Sequence, residues 1–239
     1  MKTIIAAALA ALTAAPALAQ ALDEDRIKAL ALEAIRENPG IVMEAVEALQ
    51  AQQAEAERAA IGDVLADRRE ELVADPNAPV LGNPEGDVAV VEFFDYNCPY
   101  CKRAAEPVAR LLDADEGVRL VYREWPILGE GSLFAARAAL AARAQDKYEE
   151  MHEALMGYPQ RVDEEVVMDA AERLGLDLDR LREDMDAPEV EDHIAQSMAL
   201  ARALGVTGTP AFVIGDQLAP GLIPFEELQR LVAEAREEG

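Results

Sequence analysis

The chain has 239 residues, with 47 acidic side chains against 22 basic ones, a formal net charge of −25 and two cysteines. A surface this acidic repels phosphate backbones, which excludes nucleic acid as a partner. A chain of this length buries a full core without disulfide staples, so the two cysteines are not needed to hold the fold.

The first twenty residues have the composition of an export signal. Lys2 is followed by an apolar run from Ile4 to Leu18, which ends in the small-residue triplet Ala17-Leu18-Ala19. The apolar run is shorter than the roughly 20 residues that a spanning helix needs, so a cleaved signal peptide over residues 1–19 is favoured over an uncleaved anchor. We therefore expect export to a compartment where disulfides form.

Residues 20–75 are predicted to form a helical stalk. Residues 22–37 are amphipathic, residues 41–74 are rich in Ala, Glu, Gln and Arg, and Asn38-Pro39-Gly40 separates the two helices. An isolated helix of this composition would fray, so we expect homo-oligomerisation through residues 21–75, with a helix folded back on its own domain as the alternative. The apolar positions of the longer helix keep a coiled-coil seam that weakens and resumes one residue out of phase: Val42, Val46, Leu49, Ile61, Leu65 and Leu72.

A buried strand leads into the two cysteines. After a joint at residues 75–79, the segment Val88–Phe94 is a short apolar run with β-branched and aromatic residues, which is typical of a parallel strand. The helix that follows begins near Cys98. Its N-terminus, with unpaired backbone N–H groups, favours a thiolate there, and Pro99 suits the first helical turn. The apolar residues that recur at helical spacing are Ala104, Val108, Leu111 and Leu112.

Three kinds of site compete for the cysteine pair: a structural disulfide, half of a metal site and a redox pair. A bridge that closes a four-residue loop would add only about 2 kcal/mol of stability. A zinc site needs four ligands, and His152 and His193 lie in no ligand-like cluster, so we expect no metal. The spacing of three places both thiols on one helical turn. Redox chemistry without a cofactor is therefore favoured, with Cys98 as the nucleophile and Cys101 as the resolving thiol.

Two segments carry a resemblance to a known family. Residues 91–101, VEFFDYNCPYC, resemble the active-site segment of the DsbA-like oxidoreductases, thioredoxin-fold proteins of the bacterial periplasm. Within this family they are most similar to the branch that contains the suppressor of copper sensitivity protein C. Residues 205–214, GVTGTPAFVI, resemble the loop in which a cis-proline faces the cysteine pair. The resemblance implies an α/β thioredoxin fold with an inserted helical domain, and a periplasmic location.

The resemblance also implies roles for residues around the cysteines. Pro210 would be the catalytic cis-proline, and Thr209, Pro99 and Tyr100 would contact an extended substrate. Glu92 matches a buried acid that exchanges protons with the resolving thiol. Its apolar neighbours favour this role over that of a strand-end glutamate reaching solvent. Tyr100 stands where the best-known oxidants carry a histidine, which predicts a less oxidising pair.

The remaining segments are predicted to complete a catalytic domain over residues 76–239. A second strand covers Val118–Trp125, and only helical patterns occur in the insertion at about residues 130–204. A hairpin over residues 211–219 and a closing helix over residues 224–237 follow.

These expectations describe a periplasmic enzyme that forms, reduces or isomerises disulfides. Its partners would be exported proteins with thiols or disulfides, and a membrane redox protein that reduces or reoxidises the Cys98-Cys101 pair. The non-enzymatic alternative is a periplasmic copper-binding or holdase protein that uses the two thiolates as soft ligands. The direction of electron flow stays open.

Overall fold

The computed structural model describes residues 24–238, so the expected signal peptide at residues 1–19 lies outside the described part of the chain. Over residues 24–238 the chain forms nine α-helices and one five-stranded sheet. None of these helices has both the length and the apolar character that a membrane crossing requires. Contacts divide the chain into two units, with the boundary between Ala54 and Glu55.

The first unit contains helix α1 (Glu24–Glu37) and the beginning of helix α2 (Gly40–Val73). The break between them falls at Asn38 and Pro39, as the sequence predicts. All residues of 24–54 are exposed. They include nine large apolar side chains: Ile27, Leu30, Leu32, Ile35, Ile41, Val42, Met43, Val46 and Leu49.

The second unit includes the C-terminal part of α2. Leu65 and Leu72 are each only 2% exposed, and they pack in one core cluster with Val91 and Phe93. Their seam positions are thus covered within the unit, because the sheet offers an apolar face to them. This places the contact boundary at Glu55, earlier in the chain than the expected joint at residues 75–79.

The sheet has the strand order β1-β3-β2-β4-β5, and its central pair, β2 and β3, is parallel while the other pairs are antiparallel. The register places Glu92 of β2 beside Tyr122 of β3 and Phe212 of β4. The strands are β1 (Val80–Gly82), β2 (Val88–Phe94), β3 (Val118–Glu124), β4 (Ala211–Ile214) and β5 (Gln217–Pro220).

Helices cover both faces of the sheet. Besides α1 and α2, they are α3 (Pro99–Ala114), α4 (Glu130–Ala142), α5 (Tyr148–Gly157), α6 (Glu164–Arg173), α7 (Leu178–Asp184), α8 (Pro188–Ala203) and α9 (Phe225–Glu238). Val90 and Phe94 belong to a core cluster with residues of α3, α9 and the helices between β3 and β4, whereas Val91 and Phe93 belong to a cluster with residues of α2 and α8. Both faces of β2 are therefore buried, which explains its nearly continuous apolar sequence.

Candidate active site

The two cysteines lie at the beginning of α3, directly after the carboxyl end of β2. Cys98 occupies the N-cap position, and Pro99 is the first residue of the helix, as the sequence predicts. Both cysteines are free thiols. Cys98 is 4% exposed and Cys101 is 1% exposed, so both side chains are buried and Cys98 is the slightly more accessible of the two.

The surroundings of Cys98 favour its anion. The pKa of Cys98 is lowered to about 5 in spite of burial. The largest cause is a hydrogen bond from the Cys101 thiol, and the Thr209 side chain and the backbone N–H groups of Cys101 and Tyr100 add to it. Cys98 is therefore a thiolate at neutral pH, which is the reactive form.

Cys101 has the opposite character. Burial, its hydrogen bond to Cys98 and the nearby charge of Glu92 raise the pKa of the Cys101 thiol far above its ordinary range. Cys101 thus stays protonated and requires a proton acceptor before it can attack.

Glu92 supplies a titratable group at this point. Its side chain is buried in β2, and burial, followed by the charge of Cys98, raises the pKa of Glu92 to about 8. A carboxyl group with a pKa near neutrality can take up and release a proton at working pH. A buried carboxyl group with this pKa fits the proton-exchange role that the resemblance implies.

The loop before β4 faces the cysteine pair. The Thr209–Pro210 peptide bond is cis, and the carbonyl oxygen of Thr209 lies 3.2 Å from Sγ of Cys98, within reach of a protonated Cys98 thiol as donor. The structure therefore brings the two segments that carry the family resemblance into direct contact.

Pro99 and Tyr100 lie at the surface beside Cys98. The Tyr100 ring is 53% exposed, and the guanidinium of Arg103 lies 4.4 Å from its centroid. Both positions are open to an approaching polypeptide, while their contact with substrate stays a prediction.

Asp95 and Asn97 lie between β2 and Cys98, and the sequence patterns do not single out either residue. Asp95 is buried, and its carboxyl group accepts hydrogen bonds from three backbone N–H groups, those of Asn97, Ile127 and Leu128. The position of Asp95 directly after a strand does indicate a functional residue, because the carboxyl ends of neighbouring parallel strands meet at one edge of a sheet and commonly carry functional groups.

The two histidines are buried packing residues. His193 of α8 lies between Asp75, at 3.1 Å, and Glu124, at 2.7 Å. His152 of α5 pairs with the hydroxyl of Tyr96 at 3.1 Å. Among residues 24–238, no three His, Cys, Asp or Glu side chains form a group that could hold a metal ion.

Comparisons with known proteins identify relatives for both parts of the chain. A family model described as a DSBA-like thioredoxin domain matches residues 89–233. A second, described as the copper resistance protein ScsC N-terminal domain, matches residues 23–56. The first match covers more than half of the chain.

Solved structures agree with these matches. A thioredoxin-like oxidoreductase from Silicibacter pomeroyi DSS-3 is 63% identical and has a TM-score of 0.70, covering 71% of this chain and 98% of its own. A linker-deletion mutant of Proteus mirabilis ScsC is 27% identical and has a TM-score of 0.72, covering 94% of this chain and 100% of its own.

Curated sequences add relatives of a different length. The Na(+)/H(+) antiporter NhaA 3 of Salinispora tropica is 36% identical over 158 residues, which are 65% of this chain and 24% of the antiporter. The chain thus spans about a quarter of the length of the first curated relatives it matches. The thioredoxin fold and the resemblance to the ScsC branch are confirmed, and the chain belongs to the DSBA-like thioredoxin domain family.

Proposed function

We propose that this protein is a periplasmic thiol-disulfide oxidoreductase that acts on cysteines of exported proteins. The observation that carries the proposal is the unequal acidity of two thiols on one helical turn. Cys98 is held as a thiolate, with a pKa of about 5, while the pKa of Cys101 is raised far above its ordinary range. Neither a structural disulfide nor a pair of equivalent metal ligands requires two thiols with such different pKa values.

The proposed reaction is a pair of disulfide exchanges. A substrate thiolate attacks the sulfur of Cys98 in the Cys98-Cys101 disulfide, and Cys101 leaves and takes a proton from Glu92. A second substrate thiolate then attacks the substrate sulfur of the mixed disulfide, and Cys98 leaves as a thiolate. Two electrons pass from the substrate to the cysteine pair, and a membrane redox protein removes them. The reverse sequence reduces a substrate disulfide.

The surface around Cys98 suits unfolded polypeptides with apolar side chains. In the second unit, four of the five strongly exposed large apolar side chains belong to segments at the active site: Tyr100, Ile127, Leu128 and Leu222. The backbone N–H groups of Ile127 and Leu128 donate to Asp95. Leu222 follows Gly221, whose N–H donates to the carbonyl of Pro210. Clustered exposed apolar groups are typical of binding sites.

The first unit supports self-association. We infer that residues 24–54 join copies of this chain, because a helix with this many exposed apolar side chains gains stability by packing against another. An oligomer presents several Cys98 thiolates to one substrate, which suits isomerisation. The low pKa of Cys98 stabilises the reduced pair, which isomerisation requires and which also makes the disulfide form more oxidising than Tyr100 alone predicts.

Two assays on ribonuclease test the proposal. The purified exported protein should restore activity to scrambled ribonuclease in a glutathione buffer, and a Cys98→Ser variant should not. Faster recovery from the scrambled than from the fully reduced enzyme would assign isomerisation, and the opposite order would assign oxidation. If the protein matched the Cys98→Ser variant in both assays while binding Cu(I) tightly, the copper-binding alternative would replace the proposal.

A further inference from the structure

A single buried carboxyl group joins the active-site turn to the loop that follows β3. Oδ1 of Asp95 accepts from the N–H of Asn97 at 2.7 Å, and Oδ2 accepts from the N–H groups of Ile127 and Leu128 at 2.8 and 2.9 Å. The backbone carbonyl of Asp95 accepts from the N–H of Cys98 at 3.0 Å. Asp95 therefore sets the spacing between Cys98 and the loop at residues 126–128.

Asn97 extends this connection to the inserted helices. Its Oδ1 accepts from the N–H of Val162 at 2.7 Å, and its Nδ2 donates to the carbonyl of Val162 at 2.9 Å and to the hydroxyl of Ser132 at 3.1 Å. Gly131 permits the close approach of this segment, because a Cβ at that position would lie 2.5 Å from the carbonyl oxygen of Val162. The active-site turn is thus fixed on both sides.

The loop held by Asp95 carries exposed apolar side chains. Ile127 and Leu128 are 40% and 39% exposed although their backbone N–H groups point inward to a buried acceptor. Their side chains lie free on the surface while their backbone is fixed relative to Cys98. A surface of this kind selects ligands by shape rather than by adapting to each one.

We propose that Asp95 is a positioning residue for substrate selection, which presents Ile127 and Leu128 beside Cys98 as a seat for apolar side chains that flank a substrate cysteine. This inference rests on the proposed function. The carboxyl group of Asp95 acts through the loop and not on the sulfur, since its oxygens bond to backbone N–H groups of the turn and the loop. Its replacement should therefore weaken substrate binding much more than it changes the reactivity of Cys98, whose turn is also held by Asn97.

The variant Asp95→Asn tests this directly, because an amide in either orientation places a donor against backbone donors. The substrate is a peptide with one cysteine and a leucine on either side of it. For this peptide KM should rise about tenfold while kcat stays within about twofold. The reason is that burial of two half-exposed apolar side chains strengthens binding about tenfold. The rates with a serine-flanked peptide and with glutathione should stay within about twofold of the wild type, so that the leucine peptide is affected far more than either. Asp169→Asn, the same change at an exposed position of α6, should alter none of these rates.

Two further measurements test the inference even if Asp95→Asn does not fold. In the wild type, the Ile127 and Leu128 amides should exchange with solvent hydrogen slowly, and rapid exchange would overturn the inference. A variant with Ile127→Ser and Leu128→Ser should raise KM for the leucine peptide as Asp95→Asn does, and the combined variant should raise it no further.

The inference is overturned if folded Asp95→Asn has the wild-type KM for the leucine peptide, or if its rate with glutathione falls by the same factor as that KM rises. It is likewise overturned if the KM increases caused by Asp95→Asn and by the two serine substitutions multiply in the combined variant. It is also overturned if the serine substitutions leave KM unchanged. Failure of the wild type to react with any peptide would instead remove the proposed function.

Discussion

At the scale of single residues, position alone makes two identical thiols chemically different. Cys98 lies at the helix N-cap, where hydrogen-bond donors converge on its sulfur, and Cys101 lies one turn later inside the core. Each thiol affects the other, because the hydrogen bond that lowers the pKa of Cys98 also raises that of Cys101. The proposed roles of nucleophile and resolving thiol thus depend on one shared contact.

Removal of Cys101 should therefore weaken the Cys98 thiolate. In the wild type, the rate of Cys98 alkylation by iodoacetamide should rise with pH around a midpoint of about 5. In Cys101→Ala the midpoint should move up by about one unit or more, toward the ordinary thiol value near 8.5. The thiolate absorbance at pH 6 should fall in parallel. A wild-type midpoint near that of a free thiol would contradict the assigned roles.

Glu92 should make stability depend on pH. Its pKa of about 8 in the folded protein lies above its ordinary value of 4.5, so its contribution to stability is full below pH 4.5 and is lost as pH rises through 8. Relative to Glu92→Gln, the reduced wild type should lose about 5 kcal/mol of unfolding free energy as pH rises from below 4.5 to above 8, at about 1.4 kcal/mol for each pKa unit.

Urea unfolding at several pH values measures this difference. Glu189→Gln, at an exposed position of α8, is the control and should follow the wild type. Parallel curves for wild type and Glu92→Gln would show that Glu92 titrates as an ordinary surface acid.

At the scale of elements, local patterns predicted more than long-range contacts did. The apolar run of β2 and the helical spacing in α3 are each visible within a few residues, so both elements and the position of Cys98 could be predicted. The three-residue strand β1 carries too little pattern to be recognised. The contacts of Asp95 join residues 32 and 33 positions apart, which only the parallel pairing of β2 with β3 brings together.

Helix α2 shows the same limit. Its seam residues recur along the whole helix with one shift of phase, but Leu72 packs into the second unit and Leu49 is exposed. Sequence periodicity shows that a helix has an apolar face, and it does not show what covers that face.

Leucine-to-alanine changes at the two ends of α2 should therefore differ in effect. Leu72→Ala should cost about 2–5 kcal/mol of unfolding free energy, as for a fully buried leucine. Leu49 is 53% exposed and lies in the first unit, so Leu49→Ala should change the unfolding free energy of the second unit by less than about 0.5 kcal/mol. The fluorescence of Trp125, the single tryptophan, reports on the cluster that contains Leu72. Equal losses for the two variants would contradict the different packing of the two ends.

At the scale of the whole molecule, the chain combines a redox unit with a segment whose apolar side chains are uncovered. The proposed thiol-disulfide exchange uses residues of the second unit alone. The apolar side chains of residues 24–54 are exposed in the single chain, and we propose that the same seam of a second copy covers them. The proposed assembly thus sets how many active sites can meet one substrate.

A charge placed within the apolar seam should dissociate this assembly. We expect the wild type to sediment as a multiple of the chain mass, and Leu49→Glu to sediment as a single chain, because a buried unpaired carboxylate is costly. Gln50→Glu adds the same charge at the next, polar position and should leave the assembly intact. A wild type that sediments as a single chain would contradict the proposed self-association.

The most direct test of the central claim is capture of the mixed disulfide by mass spectrometry. Cys101→Ala should react with a peptide disulfide, retain one half of the peptide on Cys98 and release the other half as a thiol, because the resolving thiol is absent. Cys98→Ala should retain none at neutral pH, because the pKa of Cys101 is too high for attack. A peptide attached to Cys101 as readily as to Cys98, or to neither, would contradict the assignment of Cys98 as the attacking thiolate of a disulfide-exchange enzyme.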